Sequence, residues 1–402
     1  MKLRFRKAGT AVAAVLALGL MASCGAPTPG DTNNSDVVPD KPSSAVTLNI
    51  LDVAGDLQLT QGMIDDFAKN NPDIVSSVTY DTGTAPDLPG KLKAQQDAGR
   101  VSIDLVLTGT DGLASGIAQG LYLPIADTFK DRLGNMANYL KPAADMQTLA
   151  EGQGVVVTYY PSGPLLEYNP DVVTSPPTTP AELLAWAKDN PGKFGYARPA
   201  NSGPGRTFMM GLPYILGDSN PQDPVNGWSK TWDYLKQLDQ YVDYYPTGTT
   251  PTMQNIGNGT WDMIVSTTGW DINPRALGTV PANFKVTSFT GFTWVTDAHY
   301  VVIPKGVSAD KQSAIILLIN NMLTPEVNAQ AYDKGYFYPG PAVQGATLSM
   351  APAESQATIA QFGRPEYDAL IANNPTALPL SAEAMVQAYD LWDKNIGANK
   401  TK

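Results

Sequence analysis

Val46-Thr47-Leu48-Asn49-Ile50-Leu51-Asp52-Val53 alternates apolar and polar side chains and is rich in β-branched residues and leucine, the pattern of a strand. Met63, Ile64 and Phe67 follow at helical spacing, and Asn70-Asn71-Pro72 is a stop signal. Val75 to Tyr80 predicts a second strand, Leu88 to Ala98 a second helix, and Ile103 to Thr108 (IDLVLT) a third strand. The order strand, helix, strand, helix, strand predicts a parallel sheet covered by helices. In such sheets ligands sit beyond the carboxyl ends of the strands, here the turn Thr108-Gly109-Thr110-Asp111.

A second unit opens after Gly152-Gln153-Gly154. Val155 to Tyr160 (VVVTYY) is strand-like, and Pro161-Ser162-Gly163-Pro164 breaks it. Thr178-Thr179-Pro180-Ala181-Glu182-Leu183 predicts a helix start: Thr179 as N-cap, Pro180 at the first position and Glu182 completing a capping box. Trp228, Trp232 and Leu235 share one face of a further helix. Met263 to Ser266 reads as a strand that ends in Thr267-Thr268-Gly269-Trp270-Asp271, another loop at a carboxyl end. Ala298 to Pro304 (AHYVVIP) predicts a strand, Ile315 to Met322 a helix, and residues 354 to 395 carry two more helical patterns, with no internal repeat.

Upstream of this folded region the chain changes character. Lys2, Arg4, Arg6 and Lys7 precede the apolar run Ala8 to Leu20 and then Met21-Ala22-Ser23-Cys24-Gly25. The run is too short for a mature membrane span, so it reads as an export signal. It resembles a bacterial lipoprotein signal, which implies cleavage after residue 23 and diacylation of Cys24. Residues 24–45, nearly all Pro, Gly, Ser, Thr, Asn and Asp, read as a solvated tether.

The chain has 402 residues, 43% hydrophobic and 16% charged, enough length and apolar content for two or three packed units. One Cys closes no internal disulfide, and one Cys with one His builds no Cys/His zinc site. No metal or cofactor motif is visible. The net charge of -11, more acidic once the basic leader is gone, argues against a nucleic-acid partner.

Leu165-Leu166-Glu167-Tyr168-Asn169-Pro170-Asp171, followed by Pro177 to Leu184, resembles the segment of type II ABC-transporter solute-binding proteins where the chain has crossed into its second lobe. Gly120-Leu121-Tyr122-Leu123-Pro124, the strand from Ala298 to Gly306 and the Gly-Pro-rich run Tyr332 to Pro341 are similar to further segments of that family, nearest its polyamine, iron and thiamine branch. The resemblance implies an α/β, two-lobed periplasmic-binding-protein-like fold, each lobe a mainly parallel sheet flanked by helices. It places residues 46–154 in lobe 1, 155–297 in lobe 2, 298–345 back in lobe 1 and 346–402 in C-terminal helices packed on the lobes. It further implies a monomer, exported and lipid-anchored through Cys24 to the outer face of the cytoplasmic membrane, that delivers a small-molecule solute to a membrane permease. The ATPase must be a separate subunit, because this chain has no G-x-x-x-x-G-K-[ST] motif.

A cleft ligand needs groups at the loop tips of both lobes. Lobe 1 offers Thr108, Thr110 and Asp111, which equally suit helix capping. Lobe 2 offers Thr267, Thr268, Trp270 and Asp271: two hydroxyls, an aromatic wall and a carboxylate, or else a turn with a core tryptophan. Arg198, Asn201, Ser202, Gly203 and Arg206 suit an anion site or a solvated surface loop. Trp294, Asp297 and His299 flank the return crossing, with His299 more in the setting of a structural histidine. Tyr336 and Tyr338 suit stacking on a ligand or buried packing. The aromatic and acidic candidates together point to an organic cation or a ring-containing solute, polyamine- or thiamine-like, bound without catalysis. A secreted carbohydrate-binding or glycoside-hydrolysing lipoprotein is the alternative, since hydrolysis needs only two carboxylates. No G-x-S-x-G or H-E-x-x-H supports it.

Overall fold

The computed structural model describes residues 37–397 and 400. The leader, Cys24 and the first part of the tether lie outside them. The opening strand-helix-strand run folds as its periodicity dictates: β1 (Val46–Asp52), a helix over Leu57–Asn70, β2 (Val75–Thr82), a helix over Leu88–Asp97 and β3 (Leu105–Gly109). Leu59, Met63, Ile64 and Phe67 fill the buried face of the first helix, and the Asn71 side chain ends it by donating to the Phe67 carbonyl at 2.9 Å. β1 pairs in parallel with both β2 and β3.

The sheet then acquires antiparallel members. β4 (Gly154–Gly163) and β9 (Trp294–Val302) pair with each other, and β9 pairs with β3. Short β10 (Gly340–Pro341) and β11 (Thr376–Ala377) complete a seven-stranded sheet. Every residue of β3, β4 and β9 is buried. These strands read as continuous rather than alternating apolar runs because helices cover both faces.

The second sheet has the order β6 (Phe194–Gly195), β7 (Met263–Ser266), β5 (Leu165–Tyr168), β8 (Lys285–Thr287). Only β6 and β7 run parallel in it; β5 is antiparallel to both its neighbours. The architecture is thus α/β and two-lobed, but the expectation of mainly parallel sheets holds for β1 to β3 and not for the second lobe.

Two boundaries move for the same reason. β4 and β9 each belong whole to the first sheet, so the chain leaves lobe 1 at Gly163-Pro164, not after 154, and returns at Trp294, not at 298. Pro161 and Ser162 were expected to end a strand; they kink it instead, with Ser162 at φ 70° and a register shift between Tyr160 and Gly163. The expected tether also ends earlier: Val38 packs on the first core, Arg132 donates to the Asp40 carbonyl, and Ser43 bonds Asp310.

One core fills lobe 1 around Leu48, Ile50, Leu105, Val155, Val301 and Ile315. A second fills lobe 2 around Phe208, Trp228, Met263 and Trp294, and takes Tyr367, Met385 and Trp392 from the C-terminal helices. A third, smaller cluster of Tyr160, Trp270, Tyr336 and Phe337 with Leu59 and Met253 lies where the lobes meet. Fully burying a side chain of this size contributes about 1.5–3 kcal/mol, so the third cluster holds the lobes together as well as shaping the space between them.

Candidate functional site

A cleft of about 320 Å³ opens between the lobes. Lobe 1 lines it with the loop after β1 (Val53 to Gly55), Gly83 and the turn after β3 (Gly109, Asp111). Lobe 2 lines it with Asn201 to Gly203, Arg206, Thr247 to Pro251 and Trp270; Tyr160 from β4, His299 from β9, Tyr336 and Phe337 make the floor. Three helices start at its rim, over Thr110–Ala118, Gly203–Leu216 and Thr249–Gly257. Ser202 caps the middle one by accepting from the Gly205 N–H at 3.2 Å, and its hydroxyl shares a 2.8 Å hydrogen bond with that of Thr249.

The centre of the arrangement is Arg206. It lies in the first turn of a helix whose Phe208, Met209 and Leu212 are anchored in the second core, and its side chain is 4% exposed. Nη1 faces Asp111 Oδ2 at 2.8 Å, and Nη2 donates to Asp297 Oδ2 at 2.5 Å. Asp297 also accepts from Thr110 Oγ1 at 2.5 Å and Tyr160 Oη at 2.9 Å. Burial works against the Asp297 charge, but Arg206 and the Thr110 hydroxyl outweigh it and hold this carboxyl below its usual range. Gly203 packs closely beside it: a Cβ there would come 3.1 Å from Tyr160 Oη and 3.3 Å from Asp297 Oδ2. One guanidinium thus ties the second lobe to the first through Asp111 and to the crossing strand through Asp297.

Beneath the lobe 1 rim, the Asp52 carboxylate accepts the N–H groups of Ala54, Asp56 and Leu57, fixing the loop that starts the first helix. His299 Nδ1 lies 2.8 Å from Asp56 Oδ1. Burial opposes its protonation, but the facing carboxylates, Asp56 foremost, raise its pKa; burial raises that of Asp56. The pair therefore keeps a proton to higher pH than a free imidazole. Gly55, at φ 75°, leaves room for Tyr336, whose Oη would stand 2.5 Å from a Cβ at that position.

Of the residues picked from sequence, Asp111, Asn201, Ser202, Gly203, Arg206, Trp270, His299 and Tyr336 line the cleft. Thr110 and Asp297 lie behind it, Thr110 donating to Asp297 and Asp297 pairing with Arg206. The others stand elsewhere. Thr108 is buried in β3 and donates to the Gly109 carbonyl. Thr267 and Thr268 are fully buried, with hydroxyls that have no partner among the described residues. Asp271, also fully buried, turns away from Trp270 to accept from Arg364 Nε at 2.7 Å, with Arg275 at 3.6 Å. Trp294 packs edge-on against Phe292 and donates to the Leu370 carbonyl. Tyr338 faces Tyr367, and Arg198 pairs with Asp393 at 2.6 Å. An Asp beside a lining Trp points to the opposite side because neighbouring side chains diverge.

For Arg206 the sequence left open an anion site or a solvated surface loop, and for His299 it favoured a structural histidine; both line the cleft. The signal for the first was present: Ser202 with Pro204 marks a helix N-terminus, and Thr249-Thr250-Pro251 marks another. Gly109 lies in the turn that the sequence marks as ligand-facing, whereas Thr247 to Pro251 carry no ligand signal beyond their helix start.

Comparison with known proteins gives a consistent picture. The family described as bacterial extracellular solute-binding protein matches residues 62–361. No curated protein sequence matches the chain. Among solved structures, an ABC transporter substrate-binding protein from Bradyrhizobium japonicum aligns at TM-score 0.61 and 19% identity, covering 87% of this chain and 99% of that one. The spermidine/putrescine substrate-binding protein PotD of Streptococcus pneumoniae aligns at 0.59 and 16%, covering 87% and 98%. A periplasmic binding protein of Actinobacillus pleuropneumoniae with fructose-6-phosphate bound aligns at 0.60 and 14%, again covering 87% and 98%. At these identities the likeness speaks to the fold.

Proposed function

The chain belongs to the bacterial extracellular solute-binding proteins, and from that premise we propose that it is the capture component of an ABC importer, taking a small ring-bearing solute in the interlobe cleft. The observation that carries this reading is the lining itself: aromatic rings from β4, the second lobe and the segment before β10, Tyr160, Trp270, Tyr336 and Phe337, face one space bounded by loops of two lobes. Aromatic faces favour flat or cyclic solutes. The same rings also suit an organic cation by cation-π contact. The acidic side chain among the described lining residues is Asp111, however, and it is already engaged with Arg206.

In this proposal the solute enters between the lobes and settles against Trp270 and Tyr336, and closure is completed by Arg206 reaching Asp111. A solute populates the closed form only so far as it binds that form more tightly. The permease then reads the joint surface of the two lobes, while a separate ATPase supplies the energy. The protein holds its cargo without transforming it. Cys24 carries the lipid that keeps it at the outer face of the cytoplasmic membrane.

A thermal-shift screen against amino acids, sugars, sugar phosphates, nucleosides, thiamine and its phosphates, and polyamines tests the capture role. A solute at 100 times its Kd stabilises by about 2.7 kcal/mol, a plain upward shift that Trp270→Ala abolishes. A shift that survives Trp270→Ala and Tyr336→Ala together removes the cleft as the site. Conversion of a screened compound during incubation removes the non-catalytic role. Replacing Cys24 by Ser releases the protein from the membrane fraction; retention there contradicts the anchor.

A further inference from the structure

We propose that the part of the solute held at the cleft floor is an oxyanion, a carboxylate, phosphate or sulfonate, and not an ammonium group. The inference rests on the capture role above and names the chemistry of its cargo. Its ground is that three buried side chains lining the cleft each have an unengaged polar atom able to donate into it. Trp270 Nε1, Tyr336 Oη and His299 Nε2 have no hydrogen-bond partner among the described residues, although these side chains are 8%, 7% and 3% exposed and line the cleft. They form one group: Trp270 lies 5.1 Å from Tyr336 ring to ring, and Phe337 sits 4.4 Å from both Tyr336 and His299. An indole N–H only donates, and so does the free nitrogen of a protonated imidazole. Buried donors left unpaired are costly, and a ligand acceptor is what completes them.

The backbone adds to this. The helices over Thr110–Ala118 and Thr249–Gly257 open at the rim from opposite lobes, and neither N-cap residue supplies a side-chain cap. Their N-termini carry the positive end of the helix dipole.

The nearby carboxylates do not cancel this preference: each is engaged except Asp56 Oδ2, which is buried without a partner among the described residues and belongs to a residue outside the cleft lining. Asp52 accepts three backbone N–H groups, Asp56 is bonded to His299, and Asp111 and Asp297 flank Arg206. An ammonium group entering the cleft finds no free carboxylate and competes with Arg206 for Asp111.

His299 makes the preference depend on pH. The groups facing it are Asp56 at Nδ1, the more distant Asp52 and Asp297 carboxylates, and the Phe337 ring. With both nitrogens protonated, Nε2 donates into the cleft; once the ring is neutral and Nδ1 donates to Asp56, Nε2 becomes an acceptor. Oxyanion affinity therefore falls as pH rises through the His299 titration.

Calorimetric titration of the protein with three probes of matched ring size, phenyl phosphate, benzyl alcohol and benzylamine, tests the proposal. Phenyl phosphate is expected to bind at least tenfold more tightly than the alcohol, and benzylamine no more tightly than the alcohol. Tyr336→Phe and Trp270→Phe each reduce the phosphate preference at least threefold, and above about pH 7, where the second ionisation of the phosphate is largely complete, His299→Gln removes the remaining pH dependence. Equal binding of the three probes, or tighter binding of benzylamine, overturns the inference and leaves the capture role standing. If no probe binds, the charge of the solute found in the thermal-shift screen decides: an acidic solute supports the inference and a basic or neutral one overturns it. Absence of binding in both experiments removes the capture role itself.

Discussion

Two buried ion clusters of similar composition lie in this molecule and do different work. At the cleft, Arg206 stands between Asp111 and Asp297, which come from the first lobe and the crossing strand. Inside the second lobe, Asp271 stands between Arg364 and Arg275, with Glu167 close by, and ties the segment around Phe362 to the loop that follows β7. The first joins the two lobes across the cleft; the second joins elements of one lobe. Burial and charge are common to both, so neither marks a ligand site. What separates them is whether the paired groups belong to two lobes and border open space.

The largest effect expected is on stability at Arg206. Removing one partner of a buried ion pair typically costs about 3–5 kcal/mol, and Arg206→Met leaves both Asp111 and Asp297 without their cation. Urea unfolding should show a loss in that range, together with loss of solute binding. Asp271→Asn should lower stability by a comparable amount yet leave solute affinity unchanged within twofold. If both variants lose affinity alike, the distinction between the clusters fails.

Glu167 sharpens the comparison through pH. Burial, with Asp271 second, pushes its pKa to about 8 against the opposing pull of Ser266, Arg364 and Arg275. In the unfolded chain a Glu titrates near about 4.3. Between those values the folded protein holds a proton that the unfolded chain has lost, so stability falls as pH rises from about 4.3 toward about 8. Glu167→Gln should flatten that slope and make the protein more stable than the parent above pH 8, by on the order of a few kcal/mol. Parallel stability profiles for the two proteins from pH 5 to 9 contradict this account of the second cluster.

The smallest effect is local. Thr179 caps the helix over Pro180–Asp189 by accepting from the Glu182 N–H at 3.1 Å. The Glu182 carboxylate reaches back to the Thr178 N–H at 2.8 Å, one residue earlier than a standard capping box. Thr179→Ala should cost about 1 kcal/mol in thermal unfolding and leave solute affinity unchanged, because the helix is remote from the cleft. An affinity change there would mean that the second lobe does not behave as one body.

That cap, the β1 to β3 run and the helix stop at Asn71 were legible because each is decided by neighbours in sequence. Trp270 and Tyr336 were legible as aromatic residues in breaker-rich loops. The antiparallel course of β4 and β9 was not, since two buried strands carry no local mark of direction. The partners that define the site are also distant in sequence: Arg206 meets Asp297 across 91 residues, and His299 meets Asp56 across 243. Asp271 misled for the complementary reason. It is adjacent to Trp270 in the chain but faces Arg364, brought from 93 residues away.

The central claim is that solute binds between the lobes against Trp270, and not at the neighbouring Asp271 cluster. Isothermal titration of the solute found in the thermal-shift screen into the parent, Trp270→Ala and Asp271→Asn proteins tests it most directly. The account predicts at least a tenfold loss of affinity in Trp270→Ala and parent-like affinity in Asp271→Asn. Parent-like binding in Trp270→Ala with loss in Asp271→Asn would contradict it.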